Sequence, residues 1–168
     1  MTLFSLAIVA RAQDDDAYTG KVETTYHQDK DQTDLEIRNI PLTADKARTA
    51  LLNVSVTFDG KKMKDKPDDI NIIVSVVNAK GHSYPQINKV VLSSGNSSIG
   101  QMILLNLDQR AFTGSDILET LGTVVKLDLF HKIAAAKGAV TFKIAETTFT
   151  IAPDYIPKLA EYEKALRP

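Results

Sequence analysis

The sequence predicts an all-β fold: a mainly antiparallel β-sandwich or flattened barrel, with one or two short helices and a C-terminal amphipathic helix. Three observations carry that expectation. Most of the chain alternates apolar and polar residues with period two, the pattern of strands buried on one face. Turn-forming residues interrupt this alternation at intervals of roughly 8–12 residues, the spacing of short sandwich or barrel strands. Sustained helical spacing is confined to the stretch after Pro153. Few helices intervene between strands, so a doubly wound parallel sheet is disfavoured.

Taken in order, "GKVETTYH" sets Val22, Thr24 and Tyr26 against Lys21, Glu23 and Thr25, and "DLEIRNI" sets Leu35 and Ile37 against Glu36 and Arg38. The polar stretch between them reads as a hairpin connection. "LLNVSVTF" places Leu52, Val54, Val56 and Phe58 on one side, and Gly60 closes it. The mixed-charge run "GKKMKDKPDD" is a solvated loop. "DINIIVSVVN" repeats the alternation with Ile70, Ile72, Val74 and Val76. Its second face carries Ile73 and Val77, which predicts a central strand covered on both sides.

"NAKGHSYPQ" is turn material punctuated by Gly81 and Pro85. "INKVVL" and "QMILLNLD", joined by the Ser/Gly/Asn loop "SSGNSSIG", form the next hairpin. In "TGSDILETLG", Asp116 precedes Glu119 by a capping-box spacing and Gly122 offers a stop, which predicts a short helix. "VVKLDLF" returns to alternation, "HKIAAAKG" reads as a second helical turn closed by Gly138, and "AVTFKIAETTFTI" is a hairpin across "AETT". The terminal helix has Asp154 as its expected N-cap and Pro157 in its first turn. Tyr155, Leu159, Tyr162 and Leu166 form its packing stripe, and Glu163 and Arg167 an i,i+4 pair.

The chain of 168 residues is 43% hydrophobic, enough for a substantial core, and its formal charge is −1. A near-neutral balance gives no basic face for nucleic acid. The run from Leu3 to Ala10, followed by Ala10-Arg11-Ala12, fits an export-peptidase site after Ala12. Residues 1–12 are therefore read as a secretory signal peptide, complete or truncated at its start, since no positive region precedes the apolar run. Residues 13–168 are read as a single β-sandwich domain, periplasmic or secreted. No segment is long and apolar enough to be read as an integral membrane helix. The absence of cysteine excludes thiol catalysis and Cys-based zinc sites.

Catalytic and metal motifs are equally sparse. In "YHQDKDQTDLEIRN" the acidic spacing suggests a calcium loop, but counting from Asp29 the sixth position is Asp34 and the twelfth Ile40, where Gly and Glu are required. A hairpin tip accounts for the same residues, and no metal site is assigned. His27, His82 and His131 lie in no metal-ligand motif. There is no G-x-S-x-G or S-x-x-K. The chain also lacks tryptophan, so an aromatic sugar platform is disfavoured.

No cofactor and no catalytic residue is assigned. The function expected is that of an exported non-catalytic binding or interaction module. Its partner would be a protein or small ligand at the cell surface, met through loop residues Asp29, Asp31, Thr33, Lys62, Lys64, His82 and Tyr84. Self-association through a free sheet edge is a further expectation. The alternative is a hydrolase assembled from dispersed His and Asp side chains.

Overall fold

In the computed structural model, residues 19–79 and 82–168 are described. The export-signal reading of residues 1–12, the acidic stretch after it, Tyr18 and Gly81 lie outside them. Among the described residues nine strands form: β1 (Val22–His27), β2 (Gln32–Ala44), β3 (Thr49–Asp59), β4 (Asp69–Ala79), β5 (Ile87–Ser94), β6 (Ser97–Ala111), β7 (Asp116–Lys126), β8 (Val140–Ile144) and β9 (Thr147–Ile151). Helix α1 (Leu127–Ala134) follows β7, and α2 (Ile156–Ala165) follows β9 after a single 3-10 turn at Pro153–Tyr155.

The strands run in the order β1-β2-β3-β4-β7-β6-β5-β8-β9, and β9 pairs back onto β2. Eight strands thus close into an antiparallel ring, and β1 is added outside it on β2. Of the two architectures the alternation allowed, the flattened barrel is realised. Closure depends on a bulge in β2. Leu35 and Ile37 are buried, then the phase shifts and Ile40 and Leu42 are buried, with a register slip against β3 between Ile37 and Ile40. Asn39 sits there at φ 56°, and its N–H donates to Asn53 Oδ1 at 2.8 Å. The bend lets the first half of β2 carry β1 while Leu42–Ala44 pairs with β9.

Inward-facing Val54, Ile72, Val74, Leu92, Leu104, Leu121, Phe142 and Phe149 fill the barrel. Phe142 and Phe149, directly paired across β8 and β9, stack at 5.2 Å. An interior cavity of about 10 Å³ is lined by apolar side chains such as Leu52, Met102 and Phe130. That is room for at most one water molecule.

Each mouth is crossed by the chain. β7 and β8 are separated in the ring by β6 and β5, so α1 must traverse one end to connect them. It buries Leu127, Phe130, Ile133 and Ala134 in doing so. Helix α2 packs beside it. The Phe130 and Tyr162 rings meet edge to face at 5.7 Å, and Tyr162 Oη donates to the Leu35 carbonyl at 3.0 Å. At the opposite end residues 82–86, which lead into β5, lie over β7 and β6, with Tyr84 hydrogen-bonded to Glu119 and Asn106.

Several local expectations are corrected. "TGSDILETLG" is not a helix but the end of the β6–β7 hairpin and the start of β7. The capping-box spacing is local, whereas the alternation of Glu119, Leu121, Thr123 and Val125 along β7 places every second side chain on the inner face. Gly122 is not a helix stop either. A Cβ there would collide with Leu107 Cδ1, so the glycine makes room for a side chain of the neighbouring strand.

The helix expected from His131 begins earlier, at Leu127, because Leu127, Phe130, Ile133 and Ala134 repeat at helical rather than strand spacing. Asp154 makes no side-chain cap bond, and α2 starts after Tyr155. Glu163 faces not Arg167 but His131 Nδ1 at 2.7 Å, tying the two helices together. The second face of β4 is half-buried at Ile73 and Val77 rather than covered, since the sheet closes on itself instead of being overlaid.

Candidate interaction surfaces

Four places combine chemistry with position: the β1–β2 tip, the three histidines, the polar mouth, and the outer wall of β5, β6 and β7. At the tip, the stretch that resembles a calcium loop joins two paired strands, with the Lys30 N–H donating to the His27 carbonyl at 3.2 Å. Two of its carboxylates, Asp31 and Asp34, already have partners. Asp31 Oδ1 accepts from Tyr26 Oη at 2.8 Å, and Asp34 accepts from Thr57 Oγ1 at 2.6 Å and lies 2.8 Å from His27 Nε2. The Asp31 hydrogen bond raises the Tyr26 hydroxyl pKa above its ordinary value. Among the described residues no group of three or more His, Asp or Glu side chains converges as a metal site would require.

Of the expected loop contacts, Asp29, Asp31, Lys62 and Lys64 are exposed. Lys62 and Lys64 belong to the β3–β4 loop, whose Lys61 Nζ lies 5.1 Å from the centre of the Tyr26 ring. That contact places the loop beside the β1–β2 tip. Thr33 is buried and donates from Oγ1 to the Gly60 carbonyl at 2.6 Å, so it fixes the loop rather than offering a contact. Tyr84 is buried too, at the opposite end of the barrel beside half-buried His82. The seven residues therefore do not form one surface.

The histidines are equally dispersed. His27 and Thr57 both approach Asp34, with the carboxylate between imidazole and hydroxyl. A nucleophilic triad needs the imidazole in the middle. His131 bridges α1 to α2, and His82 lies 3.5 Å from Thr147 Oγ1 and edge-on to the Tyr84 ring.

The polar mouth is built around Glu119, a residue that sequence reasoning assigned to a helix cap. It is fully buried on the inner face of β7. Oε1 accepts from Ser83 Oγ at 2.9 Å, Tyr84 N at 3.0 Å and Asn106 Nδ2 at 2.9 Å, while Oε2 accepts from Asn78 Nδ2 at 2.7 Å. Four neutral donors replace the water that the carboxylate loses on burial. Tyr84 is pinned beneath this cluster. Its hydroxyl donates to Thr147 Oγ1 at 3.3 Å, its ring lies 6.0 Å from that of Phe149, and its carbonyl accepts from Asn106 Nδ2 at 3.2 Å. Burial pushes the Tyr84 hydroxyl pKa up. The arrangement is a staple that closes the mouth with the β4–β5 connection.

The outer wall is the fourth place. Ile87 (61% exposed), Val91, Ile103, Leu105, Leu107 (58%) and Val124 (60%) all turn to solvent. Ile87 is directly paired with Leu105, and Leu105 with Gly122, whose missing Cβ lets Leu107 lie flat over the sheet. Val124 and Ile103 extend the same face by one further row on β7 and β6. These residues present on the order of 500 Å² of apolar surface, at the upper limit of what monomeric proteins carry. The signal was legible in "QMILLNLD", where Met102 and Leu104 take the inner phase while Ile103, Leu105 and Leu107 take the outer one. A strand apolar in both phases inside a single-layered barrel must expose one of them.

Comparison with protein-family models, with curated proteins and with solved structures finds no match to this chain.

Proposed function

We propose that this chain is an exported, non-catalytic interaction module that binds a protein surface through the outer wall of β5, β6 and β7. The observation that carries the reading is the contiguous exposed set Ile87, Ile103, Leu105, Leu107 and Val124 on one outer face of the sheet. Leaving such a face in water costs free energy at roughly 25 cal/mol per Å², so a partner that covers it is favoured. The interior cavity of about 10 Å³ argues against a small ligand held inside the barrel. The exposed tip formed by Asp29, Asp31, Lys62 and Lys64 is a secondary, polar contact surface. Export rests on the run from Leu3 to Ala12, and fractionation of expressing cells tests it separately.

The test of the wall is site-specific photo-crosslinking. A photoreactive residue at Leu105 should give adducts with protein that disappear when Ile103→Glu is added. The same reporter at exposed Thr43, on β2, should give none. Equal labelling from both positions would discard the wall as the binding surface.

A further inference from the structure

We propose that the occupant of this wall is a second copy of the chain, packed sheet to sheet with β6 of one protomer over β6 of the other. The inference rests on the reading of the wall as an interaction surface and names its partner. Three features carry it: area, shape and charge.

The exposed apolar side chains supply much of the roughly 800 Å² per partner that a standard interface buries. The exposed neighbours Lys89, Gln101, Asp108 and Lys126 extend the contact as a rim. The surface is the outer face of three neighbouring antiparallel strands, and two sheet faces pack about 10 Å apart with interdigitating side chains, as the layers of a sandwich do. A two-fold axis through the centre of this face sets its apolar side chains against the same side chains of the other copy, the self-matching contact of an isologous interface.

Charge then sets the direction. The rim carries both signs, with Lys126 Nζ held 2.8 Å from Asp69 Oδ1, so it lacks the one-signed field that an anionic lipid surface or a polyanion would require. Two rim charges remain largely unspent within the protomer. Lys89, paired with Ile103 across β5 and β6, has no ion pair among the described residues. Asp108 lies at the other end of the patch, past Leu107, and has only Arg110 at 3.9 Å. Asp108 is paired with Thr120, whose side chain takes the outer phase of β7, so its carboxylate shares the wall's face.

A two-fold axis running across the strands at Leu105 lays β6 antiparallel over β6. It brings Lys89 of each copy toward Asp108 of the other, two symmetric ion pairs flanking an apolar centre. An axis along the strands would instead superpose ends of like sign, which is disfavoured.

The experiment is sedimentation of the full chain from low micromolar to near-millimolar concentration, with circular dichroism to verify folding of each variant. The wild type should be a dimer. Ile103→Glu and Leu105→Glu should each shift it to monomer with an unchanged spectrum. Lys89→Asp and Asp108→Lys should each raise the dimer Kd about tenfold or more, and the charge-swapped double variant should recover most of that loss. A wild type that stays monomeric throughout overturns the proposal. So does a dimer that survives both glutamate variants, or a double variant no tighter than the singles. The crosslinking at Leu105 separates this failure from failure of the wider reading. A monomer that still forms Ile103-dependent adducts has a different protein partner, and a monomer that forms none has lost both.

Discussion

Asn78 and Glu119 meet inside the barrel, where the Asn78 amide donates to Glu119 Oε2 at 2.7 Å from the neighbouring strand. This contact and the three donors on Oε1 convert a buried negative charge into the fastening of one barrel mouth. The first prediction follows from its loss. Glu119→Ala leaves Asn78 Nδ2, Ser83 Oγ and the Tyr84 N–H without their acceptor and leaves Asn106 Nδ2 only the Tyr84 carbonyl, at a cost of about 3 kcal/mol or more. Urea denaturation should read that loss. Hydrogen exchange at the Tyr84 amide should accelerate well beyond the global change. Unchanged protection there would show that the mouth is held by something else.

At the other mouth the fastening is apolar. Phe130 is buried against the Tyr162 ring and lines the small internal cavity. Phe130→Ala should destabilise the protein by about 3–5 kcal/mol through lost burial and the cavity left behind. Thermal melting checks the magnitude. A loss under about 1 kcal/mol would mean that α1 is not needed to seal the barrel.

Burial pushes the hydroxyl pKa values of Tyr84 and Tyr162 above the ordinary tyrosine value, for Tyr162 with a smaller contribution from the Glu36 carboxylate. In the unfolded chain both ionise near pH 10. The folded state holds its protons more tightly, so their contribution is intact below that pH and is lost as pH rises toward the folded values. The melting temperature should therefore be flat from pH 7 to 9 with respect to these groups and fall steeply above about pH 10. Tyr162→Phe should lower stability at neutral pH by about 1 kcal/mol, for the bond to the Leu35 carbonyl, yet flatten the alkaline fall. An equally steep fall in Tyr162→Phe and Tyr84→Phe would remove the tyrosines as its cause.

The β1–β2 tip should not respond to calcium. Asp31 is engaged by Tyr26, and Asp34 by Thr57 and His27. A site saturated tenfold above its Kd would raise the melting temperature by about 3 °C or more. Millimolar calcium is expected to move it by less than about 1 °C. A clear rise, abolished by Asp29→Asn with Asp31→Asn, would reinstate the metal reading.

How much of this was readable before folding differs by element. The hairpins β5–β6 and β8–β9 were legible because strand pattern and turn residues agreed locally. The C-terminal helix was legible from Leu159, Tyr162 and Leu166, one buried stripe at helical spacing. β7 was misread because Asp116 and Glu119 satisfy a local capping rule, while the donors that claim Glu119 come from residues 13 to 41 positions away in the chain. Read locally, Thr33 and Tyr84 belong to loop surface, because polar or aromatic residues beside turns are commonly exposed. The Gly60 carbonyl and Thr147 that bury them are distant in sequence.

The sequence by itself determined that this chain builds antiparallel strands around Val, Ile, Leu and Phe, since side-chain alternation is a property of the extended backbone and needs no partner to be seen. Tertiary structure decided that the sheet closes through the Asn39 bulge, and that a buried carboxylate locks one mouth. It also decided which apolar phase of β5 and β6 faces water. These outcomes depend on which strands become neighbours, and pairing between distant segments is set by the summed packing of the whole ring rather than by any local stretch.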